Sequence, residues 1–117
     1  MNIEIRQNVA LVRAPGVLIS DGQSALDLIA TVKYETDLNA MVLPKEALSE
    51  GFFRLSSGLA GEVLQKFVNY HMALAIVGDF SQYQSENLKD FIYESNKGKV
   101  VCFAATEDEA VAALAEI

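Results

Sequence analysis

Residues 73–77 read Ala-Leu-Ala-Ile-Val, with no polar side chain among them, and Gly78-Asp79 closes the run. A strand with one wet face alternates apolar and polar residues, whereas a strand covered on both faces is apolar throughout. The run therefore predicts a central parallel strand. Parallel neighbours cannot be joined by a tight turn, so helices must connect them and pack on the sheet.

The rest of the chain supplies those parts. Ile3 and Ile5 alternate with polar residues, so residues 2–6 read as a half-exposed strand. Val9 to Val12 follow as a second strand after the Gln7-Asn8 turn pair, giving an opening antiparallel hairpin. Ala25, Leu28, Ile29 and Val32 fall on one face of a helix that Ser20 or Asp21 can cap. Ala40 to Leu43 form a short buried strand stopped by Pro44. A helix from about Gly58 to Tyr70 carries Ala60, Val63, Leu64 and Phe67 on one face. Leu88, Phe91 and Ile92 mark another, ending near Lys97-Gly98, and Val100 to Phe103 are the last strand. Thr106 and Glu109 have capping-box spacing ahead of a final helix with Val111 and Leu114 inward. The fold class is α/β, a single domain over 1–117. It has a mostly parallel sheet of about five strands with an antiparallel N-terminal strand, and about four helices.

Composition narrows the function classes. Among 117 residues, 9 are basic and 16 acidic, for a net charge of −7, so no basic footprint exists for nucleic acid or an anionic membrane. No apolar stretch is long enough to span a membrane, and the first residues lack the pattern of a signal peptide. The single cysteine, Cys102, has no partner for an intrachain disulfide or a zinc ribbon, and a cytoplasmic setting follows as the expectation. Neither a metal nor a cofactor is implied.

The segment most able to carry function is Phe52-Phe53-Arg54-Leu55-Ser56-Ser57-Gly58-Leu59-Ala60-Gly61-Glu62. Two hydroxyls and two glycines lie where a loop becomes a helix, so backbone N–H groups and the positive end of the helix face whatever sits there. One reading is structural: Ser56 or Ser57 caps the helix, and Gly58 and Gly61 allow close packing. A second is phosphorylation of Ser57, which places a dianion at a helix start and changes a partner surface. A third, a bound anion, lacks the lysine of a phosphate-binding loop.

Catalytic constellations do not assemble. The nucleophile-elbow pattern needs glycines two residues either side of the serine, and Leu55-Ser56-Ser57-Gly58-Leu59 lacks the first. His71 follows a helix end and reads as structural. Asp79 and Ser81 lie just beyond the central strand, where open α/β sheets place ligand crevices, so they are candidate rim residues; Asp79 can equally cap its turn. Glu107-Asp108-Glu109 reads as the solvated, acid-rich first turn of a helix. Cys102 reads as a small buried hydrophobe. Phe52, Phe53 and Phe80 fall in or beside expected loops, where exposed aromatics mark a self-association surface unless they fold back into the core.

The element order, with Leu55-Ser56-Ser57-Gly58-Leu59 opening the helix after the third strand, resembles the anti-sigma factor antagonist family, the STAS domains. That family carries Asp-Ser-Ser-Gly-Leu at this place, and a partner kinase phosphorylates the second serine. The resemblance implies a cofactor-free protein-binding module in which Ser57 is the phosphorylated residue, preceded by Ser56 and followed by Gly58 and Leu59. Leu55 stands where the family has aspartate. Leu43-Pro44, the run Gly58 to Phe67, Ala75 to Asp79 and Asp90 to Asn96 are also similar to a bacterial family of unknown function. The resulting expectation is a non-enzymatic regulatory or interaction module that binds a protein partner through Ser56 to Gly61 and the following helix. Small-ligand or anion binding at the carboxyl edge of the sheet is the alternative, and self-association remains open.

Overall fold

A computed structural model describes residues 1–98 and 100–115. Strands β1 (Asn2–Arg6) and β2 (Val9–Arg13) form the opening hairpin, and Gln7 and Asn8 turn it with φ of 51° and 64°. Both central residues at positive φ give the turn whose twist matches the flanking strands. Strands β3 (Ala40–Pro44), β4 (Ala73–Val77) and β5 (Val101–Ala104) follow, separated by helices α1 (Gly22–Thr36), α2 (Leu59–Asn69) and α3 (Glu86–Lys97), with α4 (Glu107–Ala115) last. The sheet order is β1-β2-β3-β4-β5. β1 is antiparallel to β2, and all later neighbours are parallel. Strand order thus follows chain order, without the reversal that opens a crevice in doubly wound sheets.

Both faces of the central strands are covered. Ala10, Val12, Met41, Leu43, Leu74 and Ile76 pack beneath α1, α2 and α3, together with Leu28, Ile29, Val32, Val63, Phe67 and Leu88. The alternate residues Val9, Leu11, Ala40, Val42, Ala73 and Ala75 meet Ala110, Val111 and Leu114 of α4. Period-2 alternation sends successive residues of an apolar strand to two cores, which is why β4 has no polar residue. Ala40, Ala73, Ala75 and Ala110 keep the side chains small where α4 meets the sheet.

The helix ends follow their caps. Asp21 accepts the Ser24 N–H at 2.8 Å while Ser24 Oγ accepts the Asp21 N–H at 3.1 Å, closing a capping box on α1. At α4, Thr106 Oγ accepts the Glu109 N–H at 3.2 Å. The acidic triplet does more than lie solvated at a helix start. Arg13 bonds Glu107 at 2.6 Å and Glu4 at 3.0 Å, and Arg6 bonds Asp108 at 2.7 Å, so two of the three acids clasp α4 to the hairpin.

The largest departure from expectation lies between β3 and α2. Lys45–Ala47, Glu50–Phe53 and Leu55–Ser57 form three short 3-10 turns. They carry Phe52 and Phe53 into the core, at 0% and 3% exposure. Neither is a free aromatic of a self-association patch. Phe53 stacks on Tyr83 at 5.2 Å and touches Phe80 at 6.0 Å, and Phe80 meets Phe103 edge-on at 5.3 Å. Burial of these rings, each a large apolar payload, anchors a segment that has no regular ladder of its own.

Candidate functional site

The serine-glycine turn sits on this anchored segment. Leu55–Ser57 ends at Gly58, whose φ of +79° is left-handed backbone that glycine adopts without strain, and α2 begins at Leu59. Ser56, Ser57, Gly58 and Gly61 are exposed, and Leu59 is half-buried. A side chain at Gly61 would meet nothing within 4 Å, so the backbone of the first turn of α2 is open to approach.

Ser57 is exposed, yet its hydroxyl is engaged. It donates to the Gly51 carbonyl at 2.5 Å and accepts the Leu59 N–H at 3.2 Å. The first bond ties the Leu55–Ser57 turn to the Glu50–Phe53 turn, and the second satisfies one of the orphan donors at the start of α2. The capping expectation therefore holds for Ser57. It caps from one residue further out than a standard N-cap, because Gly58 occupies that position and has no side chain to offer.

The charge around the turn is sparse and mixed. Arg54 is exposed beside it. Glu62, the acid in the first turn of α2, is directed elsewhere: its Oε1 accepts the Gly22 N–H of α1 at 2.8 Å. One carboxylate of α2 thus caps the neighbouring helix, and that bond depends on glycine at position 22, since a Cβ there would lie 2.4 Å from the oxygen and push the carboxylate aside. Behind the turn, Phe53 to Ser56, Tyr83 to Ser85, Asn87 and Leu88 line a groove of about 320 Å³. Tyr83 Oη is shielded and has no hydrogen-bond partner among the described residues. Burial, followed by the nearby Glu50 carboxylate, pushes its phenol up from the ordinary tyrosine value.

Asp79 and Ser81 are brought together, but on each other. Asp79 Oδ1 accepts the Ser81 hydroxyl at 2.6 Å and the Ser81 N–H at 2.9 Å, and these bonds hold the Asp79 carboxyl below its ordinary range, helped by Lys45. Lys45 Nζ donates to the Asp79 carbonyl at 3.2 Å and lies 5.0 Å from the Tyr83 ring centre. Asp79 and Phe80 line an open groove of about 340 Å³ with Phe103 and Ala104. Ser56 and Asp79 thus line different grooves, with Phe53, Phe80 and Tyr83 packed between them.

Sequence reasoning did not single out Tyr83, Lys45 or Gly51. Only the apolar Phe52-Phe53 pair signalled that this connection turns inward. His71 is exposed at φ 54°, in the tight turn from α2 into β4. Cys102 is half-buried on the α4 side, and burial pushes its thiol up. Among the described residues no group of three or more histidine, cysteine, aspartate or glutamate side chains could hold a metal ion. No helix there is long and apolar enough to cross a membrane.

A family model described as Domain of unknown function (DUF4180) matches residues 5–114. Comparison with curated proteins and with solved structures gives no match.

Proposed function

The chain belongs to the DUF4180 family, whose description carries no activity, and from the geometry of the serine-glycine turn we propose a non-enzymatic regulatory module of the STAS kind, working in the cytoplasm. Its partner surface consists of Ser56 to Gly61 and the exposed side of α2, and its switch is phosphorylation of Ser57. The fold kinship draws support from the element order and from the place of the serine-glycine turn directly before the helix that follows β3.

The observation that carries the reading is the double engagement of an exposed Ser57 hydroxyl. Transfer of a phosphoryl group from a kinase's nucleotide to Ser57 Oγ releases the hydroxyl proton. Oγ then has nothing to donate to the Gly51 carbonyl, and a dianion stands beside that acceptor. The Glu50–Phe53 and Leu55–Ser57 turns lose their tie, while the unpaired N–H groups at the start of α2 attract the new charge. With a single exposed arginine nearby and Glu62 engaged with α1, backbone donors carry most of that attraction. The partner therefore meets a turn that is altered in both shape and charge.

Affinity capture from cells of the source organism, with wild-type, Ser57→Ala and Ser57→Glu chains as bait, tests this. The expected result is a partner whose recovery differs between the Ser57→Ala and Ser57→Glu baits. Identical recovery with all three baits would refute the switch.

Small-ligand binding at the carboxyl edge is the second reading. The 340 Å³ groove beside Asp79 favours it. Against it, Asp79 and Ser81 already satisfy one another.

A further inference from the structure

The two edges of the sheet differ. On β5 the outward-facing Phe103 N–H donates to Asn96 Oδ1 at 2.7 Å, which removes a donor that an incoming strand would need. β1 packs on β2, and among the described residues no other element covers it to a comparable extent. Because Gln7-Asn8 is a two-residue turn, Arg6 and Val9 flank it as a hydrogen-bonded pair, and the ladder alternates from there. The backbone groups of Asn2 and Glu4 therefore face β2, and those of Ile3 and Ile5 face outward. On the same side of the sheet as Ile3 lie Met1 and Ile5, each 54% exposed.

We propose that β1 is a homodimer interface, pairing antiparallel with β1 of a second copy about a two-fold axis that sets Ile3 opposite the second copy's Ile3. The strand's own sequence selects this register. Placing Glu4 opposite itself brings two carboxylates together at the closer, non-hydrogen-bonded spacing, which is destabilising. Placing Ile5 opposite itself runs the pairing at once into Gln7 and Asn8, whose positive φ is not strand backbone. With Ile3 opposite itself, Ile3 and the two Met1–Ile5 pairs all occupy hydrogen-bonded positions, about six bonds in total. Asn2 then faces Glu4, no like charges meet, and the two exposed apolar side chains cover one another. The product is a closed pair with one continuous sheet, whose remaining edges are both β5, each bearing its Asn96 guard.

Such a contact is smaller than the roughly 1,000 Å² typical of a stable interface, so the dimer is weak, dissociating at micromolar concentrations or above. A charge of −7 on each copy opposes it, so added salt strengthens the pair.

Sedimentation velocity of the full chain, from about 10 µM to about 1 mM at low and high salt, is the test. The sedimentation coefficient should rise with concentration, and more steeply in salt. Ile5→Pro removes only an outward N–H, as edge strands tolerate, and should stay monomeric while keeping the wild-type circular dichroism spectrum. If that variant fails to fold, Ile5→Lys replaces it with the same expected result. In a Cys102→Ala background, a mixture of Asn2→Cys and Glu4→Cys chains should form a disulfide on mild oxidation that neither forms alone. A concentration-independent coefficient, a dimer unaffected at Ile5, or a dimer weakened by salt would overturn the proposal. So would cross-linking of Glu4→Cys by itself as efficient as that of the mixture.

Discussion

Glu62 and Gly22 form a two-residue device whose energetics can be worked out from its geometry. Glu62→Ala deletes a charge-assisted bond to a helix-start N–H, worth about 1.5 kcal/mol at the low end of the range because the carboxylate is partly wet. Gly22→Ala places a Cβ 2.4 Å from Glu62 Oε1. The carboxylate swings away and the same bond is lost, but alanine recovers about 0.5 kcal/mol of backbone entropy. The net loss for Gly22→Ala is then about 1 kcal/mol by the same reckoning. In the double variant the bond is already gone, so the alanine is purely favourable and the total loss is again about 1 kcal/mol. Additivity would instead give about 2.5 kcal/mol, leaving a coupling of about 1.5 kcal/mol. Urea unfolding of the four proteins measures this, with each 1 kcal/mol shifting Tm by roughly 4–6 °C for a chain of this size. Additive losses, within about 0.5 kcal/mol, would show that Glu62 does not cap α1.

Two further outcomes follow from other sites. Phe52→Ala removes a fully buried ring at the foot of the 3-10 segment and should cost about 3–5 kcal/mol, whereas Tyr34→Ala, at a 91% exposed position, should change stability by under about 0.5 kcal/mol; equal effects in urea unfolding would contradict the packing. The Asp21 carboxyl is held below its ordinary 3.8 by the Ser24 N–H and hydroxyl, and Asp79 is lowered by Ser81. Their stabilisation is complete above that ordinary value and is lost as pH falls through the lowered folded values. An Asp21→Asn, Asp79→Asn chain should thus lose less stability than wild type between pH 5 and about pH 2, and parallel urea-midpoint curves over that range would refute the assignment.

What the sequence disclosed and what it hid have a common physical origin. Ala73 to Val77, the face formed by Ala25, Leu28, Ile29 and Val32, and the Thr106 cap are local patterns, and each lies where its periodicity puts it. The connection from Pro44 to Gly58 has no period, because 3-10 turns of three or four residues are too short to repeat one. Phe52 and Phe53 therefore read as loop residues although they are core. Long-range charge was equally hidden: nothing near Asp108 in the chain points to Arg6, which bonds it across 102 positions. At the candidate site, the hydroxyl and the helix start were legible in Ser57-Gly58-Leu59. The acceptor on Gly51 was not, since it depends on how two irregular turns stack.

The strand order carries a consequence for how the chain assembles during synthesis. Each strand pairs with the one made just before it, so contacts under α1, α2 and α3 can accumulate as the ribosome delivers them. The opposite side behaves differently. Val9, Leu11, Ala40, Val42, Ala73 and Ala75 stay uncovered until α4 emerges. Only then can Glu107 and Asp108 reach back to the arginines of β1 and β2. A nascent chain arrested after β5 would hold a nearly complete sheet with one bare apolar side, a state that chaperones and proteases are built to notice. Docking of α4 is therefore the step that closes the second side of the paired sheet.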